Sequence, residues 1–167
     1  KVAILYKKAD IHKKEIPQSA AIFIANNIKS NIRELEGFLL RVIAYSSFTH
    51  RKLDLELTQE VLKDFTIDKK RHFTIPNIIK IVAGYYGIKV ADIKSKRRTR
   101  DISEPRQIAM FLCREHTKSS LPEIGRQFGG KDHTTVIFSY KKILKLAKEN
   151  KELQSSILEI VDLIEKG

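Results

Sequence analysis

Four consecutive residues, Asp132-His133-Thr134-Thr135, carry hydrogen-bonding groups at a place where a helix would present them together. They follow Gly129-Gly130-Lys131 and precede the apolar Val136. The stretch Ser119–Asn150 reads as a helix from Leu121 to Phe128, a glycine turn, and a longer helix from Asp132. Gly129 and Gly130 supply the positive φ that a helix end and a tight turn require. Two helices joined by a three-residue turn describe a helix-turn-helix, whose second helix enters the major groove of DNA. In the first turn of such a helix an Asp carboxylate accepts from a cytosine amino group. His and Thr bond base edges or phosphates, and a Thr methyl packs on a thymine methyl. Asp132 also suits an N-cap, with the two threonines as surface residues. The two roles are compatible, because a cap in the free protein can meet a base in the bound one.

A second cluster has a different chemistry. Lys94-Ser-Lys-Arg-Arg-Thr-Arg100 is a basic block ahead of the helix expected to open at Glu104-Pro105. As an exposed loop it suits a minor groove, whose narrow width and negative potential attract Arg; as a solvated linker it would do nothing specific. Arg106, Arg114, Lys118, Arg126, Lys131, Lys141 and Lys142 are further candidates for phosphate contacts, which position a protein without reading sequence. Lys145 and Lys148 lie further along and read as solvated.

Other chemistries are poorly served. Gly125-Arg-Gln-Phe-Gly-Gly130-Lys131 satisfies the first part of a phosphate-loop pattern, but Asp132 stands where Ser or Thr should bind magnesium, and a helix rather than a strand precedes it. Cys113 and His116 lie three apart with no second pair to complete a tetrahedral metal site. No Gly-x-Ser-x-Gly, no HExxH and no other catalytic constellation is present, so neither catalytic nor metal-binding residues are expected in this chain.

Composition agrees with a nucleic-acid partner. The 167 residues carry a formal charge of +12, and the excess is uneven. Residues 93–148 hold 14 basic and 5 acidic side chains, residues 1–92 hold 16 and 10, and residues 149–167 hold 2 and 5. A strongly basic segment is the electrostatic footprint of nucleic-acid binding. The longest apolar run, Ala20–Ala25, is far short of a membrane span. A single cysteine excludes an internal disulfide and suits a reducing compartment. No secretory signal is visible, and a start at Lys1 rather than Met suggests a fragment.

The elements that must position these residues are helical. Ile32, Leu35, Leu39, Val42 and Ile43 recur at helical spacing, as do Ile108, Phe111 and Leu112, then Ile143, Leu144 and Leu146, then Leu153, Ile157, Ile160, Val161 and Ile164. Pro17, Pro76, Pro105 and Pro122 are each expected to precede or open a helix. Asn31-Ile-Arg-Glu34 and Ser120-Leu-Pro-Glu123 are capping-box starts. Leu53–Leu57 alternates like a short strand and reads as an extended connector. The basic stretch Thr66–Thr74 reads as a hinge or as the end of a long connecting helix, with a domain boundary near residue 70.

Several motifs together resemble the DnaA family of bacterial chromosomal replication initiators. They are Arg106-Gln-Ile-Ala-Met110, Ser120-Leu-Pro-Glu-Ile-Gly125 and Phe128-Gly-Gly-Lys-Asp-His-Thr-Thr-Val136. Upstream, Ser30-Asn-Ile-Arg-Glu-Leu-Glu-Gly37 with Arg41-Val-Ile-Ala44 resembles the helical lid of that family's AAA+ ATPase module. Tyr85-Tyr-Gly-Ile-Lys-Val-Ala-Asp92 and Ser95-Lys-Arg-Arg98 resemble the start of its DNA-binding domain. The resemblance covers the whole chain in order.

It implies an all-α protein: a small helical lid bundle over residues 1–70, then a helix-turn-helix domain over residues 71–167. It implies sequence-specific binding to duplex DNA at DnaA boxes, origin sites similar to TTATCCACA. Arg98 falls where the family places an Arg in the minor groove, and Arg100 closes the same block. Asp132, His133, Thr134 and Thr135 fall on the major-groove readers. Arg106, Gln107, Arg114 and Lys118 fall in regions that meet phosphate, and Leu121 and Pro122 open the first helix of the motif, where main-chain groups approach the backbone. Lys131 stands where many members have Arg, and Arg114 where Lys is common. Arg33 falls on the lid arginine called sensor II, which reaches nucleotide phosphates; by itself it reads as a surface ion pair with Glu34 or Glu36. ATP or ADP with Mg is expected in a full-length initiator, whose ATPase residues would lie upstream, so this chain is not expected to be an enzyme. Further implied partners are neighbouring subunits in a filament, regulator proteins docking on the lid, and acidic phospholipids at the basic hinge. The implied location is cytoplasmic, on the nucleoid.

Overall fold

The computed structural model describes residues 1–29 and 31–167, and its described residues form ten helices with no strand among them. Ser30, the first residue of the lid motif quoted above, lies outside them. Two compact units divide the chain, Lys1–Ile67 and Asp68–Gly167.

The first unit contains α1 (Val2–Ile11), α2 (Gln18–Asn27), α3 (Ile32–Thr49) and most of α4 (Leu55–Arg71). The Asn31 side chain accepts the Glu34 backbone N–H at 2.7 Å, which removes one of the unpartnered donors at the start of α3. The apolar spacing on α3 then places Leu35, Phe38, Leu39, Val42 and Ile43 in one core with Leu5, Ala20, Ile24, Leu57 and Val61; Ile32 stays exposed.

One expectation is overturned here. Leu53–Leu57 is not an extended connector, because α4 begins at Leu55. The Asp54 carboxylate accepts the Leu57 N–H at 2.8 Å, and the Thr58 hydroxyl donates to the Asp54 carbonyl at 2.6 Å. An acidic N-cap inside an alternating run turns it into a helix start. The stretch Thr66–Thr74 takes the second of its two expected forms, the end of a long helix: Lys69, Lys70 and Arg71 sit at the negative end of the α4 dipole, followed by the cap of the next helix.

The second unit contains α5 (Ile75–Tyr86), α6 (Val90–Lys94), α7 (Arg100–His116), α8 (Leu121–Gln127), α9 (His133–Glu149) and α10 (Lys151–Lys166). Helix α7 is the central element and packs against α5, α6, α8 and α9. Ile78, Ile79, Val82, Ile93, Ile108, Leu112, Ile124, Phe128, Val136, Ile143, Ile160 and Ile164 form the core. Asn150 ends α9 and caps α10, accepting the Glu152 and Leu153 N–H groups at 3.0 and 3.1 Å. Pro17, Pro76 and Pro122 stand at helix starts as expected, but Pro105 does not. It is the sixth residue of α7, so the helix opens earlier, at Arg100, and the basic loop is shorter than the block Lys94–Arg100. Among the described residues no helix is long and apolar enough to cross a membrane.

Cys113 is fully buried in α7, and burial pushes its thiol from 9.0 up to about 12. Burial also pushes Tyr86 from 10.0 up to about 12. Both groups hold their protons more tightly folded than unfolded, so the stability they contribute is complete below about pH 9 and falls as pH rises towards 12. The urea midpoint should therefore stay level to about pH 9 and then decline, with a shallower decline in Cys113→Ala. Iodoacetamide at pH 8 should label Cys113 only when urea is present; rapid labelling of the native chain would contradict the burial.

A candidate nucleic-acid interface

Helices α8 and α9 meet at a turn that depends on two glycines. The Ser120 hydroxyl accepts the Glu123 N–H at 3.3 Å and starts α8. Gly129 and Gly130 then take φ of +80° and +76°. The Lys131 N–H donates to the Gly125 carbonyl at 2.8 Å, which draws the chain back over the end of α8. A Cβ on Gly125 would overlap the Lys131 carbonyl oxygen, so this close approach requires glycine. The phosphate-loop pattern across the turn has no nest to offer. The Gly130 and Lys131 N–H groups already donate to the Arg126 and Gly125 carbonyls, and the Lys131 Nζ is engaged elsewhere.

Asp132 caps α9, accepting the Thr134 N–H at 3.1 Å, and its carboxylate lies 2.7 Å from the His133 Nδ1. The Thr134 backbone N–H, then the neighbouring His133, hold the Asp132 carboxyl below the usual range, so it is an anion at neutral pH. Asp132, His133, Thr134 and Thr135 are all exposed while Val136 is fully buried. The first turn thus presents four polar side chains to solvent from a rigidly seated helix. Phe138, one turn further on, is exposed as well.

The basic loop is fastened from within by Arg106. This side chain is only 6% exposed. Its Nε donates to the Ile93 carbonyl at 2.6 Å and its Nη1 to the Arg97 carbonyl at 2.7 Å. Its Nη2 donates to the Asp92 and Ser95 carbonyls at 3.0 and 2.9 Å. Two of these acceptors, Asp92 and Ile93, belong to the last turn of α6, the negative end of its dipole, and the Asp92 carbonyl also accepts the Ser95 N–H and hydroxyl. With two carbonyls of α6 and two of the loop turned inward to one guanidinium, Lys96, Arg97 and Arg98 are left exposed on the outside. Burial lowers the Arg106 pKa, yet a guanidinium keeps its proton at any ordinary pH.

This corrects the reading of Arg106 as a phosphate contact: the residue is the internal clamp of the loop. Lys131 departs in the same way. Its Nζ donates to the Ser95 carbonyl at 2.9 Å, and its pKa is lowered by burial first and by nearby Arg106, Lys96 and Arg98 next. Arg100 opens α7 instead of lying in the loop, and pairs with Glu104 at 3.1 Å.

The turn and the loop are therefore one assembly. Lys131 reaches Ser95, and Gly129 packs so closely on Lys94 that a Cβ there would overlap the Lys94 carbonyl oxygen. Sequence reasoning listed Lys131 as a surface cation and missed this link, because nothing local marks a glycine as touching a residue 35 positions away. Arg114 and Lys118 are exposed at the end of α7 and just beyond it. Pro122 is exposed in the first turn of α8, while Leu121 and Gln107 are half-buried, Leu121 against the core. Arg33 lies in the first unit, exposed in the first turn of α3; Glu36 on the same helix pairs with Lys8 at 3.2 Å.

A glycine-turned helix pair, a polar first turn on the second helix and an adjoining clamped basic loop define a helix-turn-helix DNA-binding domain. Comparison with known proteins takes this further. Residues 75–143 match the family model described as bacterial dnaA protein helix-turn-helix. Across 167 residues the chain is 48% identical to the chromosomal replication initiator protein DnaA of Geobacter sulfurreducens, covering 100% of this chain and 37% of that protein. The chain belongs to the DnaA family of bacterial replication initiators, and it contains that family's C-terminal DNA-binding domain. Among solved structures, one titled as a DNA replication initiation factor is 28% identical with a TM-score of 0.48, covering 98% of this chain and 47% of that one. Another, titled replication initiator DnaA bound to AMPPCP and single-stranded DNA, is 29% identical with a TM-score of 0.46, covering 98% and 46%.

Proposed function

We propose that the second unit binds duplex DNA at DnaA-box-like sites, with α9 in the major groove and the Lys96–Arg98 loop in the adjoining minor groove. The observation that carries this reading is the exposed Asp132–Thr135 turn held against the clamped loop by Lys131 and Gly129. Asp132 accepts from a base amino group, His133 and Thr134 bond base edges, and Thr135 offers a hydroxyl and a methyl. Arg98 enters the minor groove, where its cation meets the strongest negative potential. Arg114 and Lys118 meet phosphates, and the exposed N-terminal turn of α8 lets main-chain groups near Leu121 and Pro122 approach the backbone. In a longer initiator, the first unit acts as the helical lid of the ATPase module. Arg33, an exposed cation in the first turn of an 18-residue helix, then faces nucleotide phosphate.

Titration of a duplex carrying one TTATCCACA site against a scrambled duplex, at a fixed salt concentration, tests the central claim. The site is expected to bind far more tightly, and equal affinities would refute sequence reading. His133→Ala is expected to cost about 1–3 kcal/mol on the site and much less on the scrambled duplex. A uniform loss on both duplexes would make His133 a phosphate contact.

A further inference from the structure

Phe138 is the most exposed large apolar side chain on α9, 61% exposed against 36% for Leu146 near the end of the helix, and it stands in the middle of the face that solvent sees. The buried face of α9 is made by Val136, Ser139 and Ile143. At 100° per residue, Phe138 points away from that face and aligns with Thr134 one turn before it and with Lys141, Lys142 and Lys145 beyond. All of these neighbours are exposed. A singly exposed apolar side chain is ordinary on a protein surface; what sets Phe138 apart is its place on α9, one turn from the exposed polar residues that open the helix. A protein-binding patch gathers several apolar side chains around its anchor. Here a single ring is bordered by a hydroxyl and ammonium groups, which is the surround of a polyanion.

We propose that Phe138 is a base-reading residue that packs its ring on the C5-methyl group of a thymine in the major groove. The proposal rests on the reading of α9 as the major-groove helix. Phe138 lies about 6 Å along the helix from Thr134, close to two base-pair steps at about 3.4 Å each. The thymine methyl is the apolar feature of the major-groove floor, and aromatic side chains are among the groups that recognise it. Lys141, Lys142 and Lys145 share the ring's face, and their long flexible stems let the ammonium groups turn to the phosphates that border the groove while the ring stays over the bases. This adds an apolar reader to the four polar ones at the start of the helix.

Anisotropy titrations of the full chain and of Phe138→Ala test this on three kinds of duplex: the site, a scrambled sequence, and a set in which each thymine of the site, on either strand, is replaced by deoxyuridine. Circular dichroism should show equal folding, because the ring is largely outside the core. Wild type is expected to lose about four-fold on one uracil duplex, the value of one buried methyl. Phe138→Ala is expected to lose at least about ten-fold on the site, little on the scrambled duplex, and nothing more on that same uracil duplex. If wild type prefers the site but Phe138→Ala binds it equally well, the proposal is overturned and the reading of α9 survives. A loss shared equally by site and scrambled duplex, or insensitivity of wild type to every uracil, also overturns it. If wild type shows no preference for the site, the reading of α9 itself has failed, and the proposal falls with it.

Discussion

Arg106→Ala should destabilise the second unit by about 3 kcal/mol and weaken binding to a cognate duplex, although the side chain is buried away from any ligand. The substitution removes one guanidinium and takes the donor from the carbonyls of Ile93 and Arg97, while the Asp92 carbonyl keeps the Ser95 N–H and hydroxyl and the Ser95 carbonyl keeps the Lys131 Nζ. Each stranded buried acceptor costs about 1–3 kcal/mol before relaxation, and relaxation here means that the loop swings out to water. Loop ordering is then lost, and Arg98 must be ordered again on binding. Arg106→Lys separates this account from a phosphate contact. A lysine keeps the charge but cannot fork to four carbonyls. It should be nearly as destabilising as alanine in urea denaturation. Near-wild-type stability with lowered affinity and a shallower salt dependence would restore the phosphate role.

Gly129→Ala should be worse still, at more than about 3 kcal/mol, and Gly130→Ala beside it much milder. Both glycines have positive φ, which costs an alanine roughly 1–2 kcal/mol. At Gly130 that strain is the whole effect, because a Cβ there meets nothing within 4 Å. At Gly129 the Cβ would also overlap the Lys94 carbonyl oxygen, which is backbone and cannot step aside without moving the end of α6. Gly125→Ala meets the same kind of obstacle at the Lys131 carbonyl, without the φ strain. Urea midpoints of the three variants should therefore rank Gly130→Ala as most stable. Equal midpoints for Gly129→Ala and Gly130→Ala would mean that the turn does not rest on the loop as described.

Much of the helical framework, the helix-turn-helix included, was legible from local chemistry. The caps at Asn31, Ser120 and Asp132 are where their spacing to the following backbone N–H groups put them. The turn formed at the two adjacent glycines, and the stripes on α3 and α10 buried Leu35, Leu39, Val42, Leu153, Ile160 and Ile164. Local reasoning failed where a distant partner changed the balance. Pro105 sits within α7 although it removes a helix hydrogen bond, and it is buried against the unit beside the clamp residue Arg106. Leu53–Leu57 alternates like a strand, but the Asp54 cap and the burial of Leu57 made it a helix.

By itself the sequence determined the helical class, the glycine turn and the four polar residues that open α9, because caps, turns and amphipathic stripes act over a few residues along the chain. Only the tertiary structure decided which cations face outward. Arg106 and Lys131 are indistinguishable from surface residues in a list of basic positions, yet their donors are turned inward to the backbone of the loop. The carbonyls they satisfy become available only after α6, α7 and the turn have packed together, so no pattern along the chain could have announced them. The same packing exposes Lys96, Arg97 and Arg98 beside α9, and with them the surface on which reading and anchoring can act together.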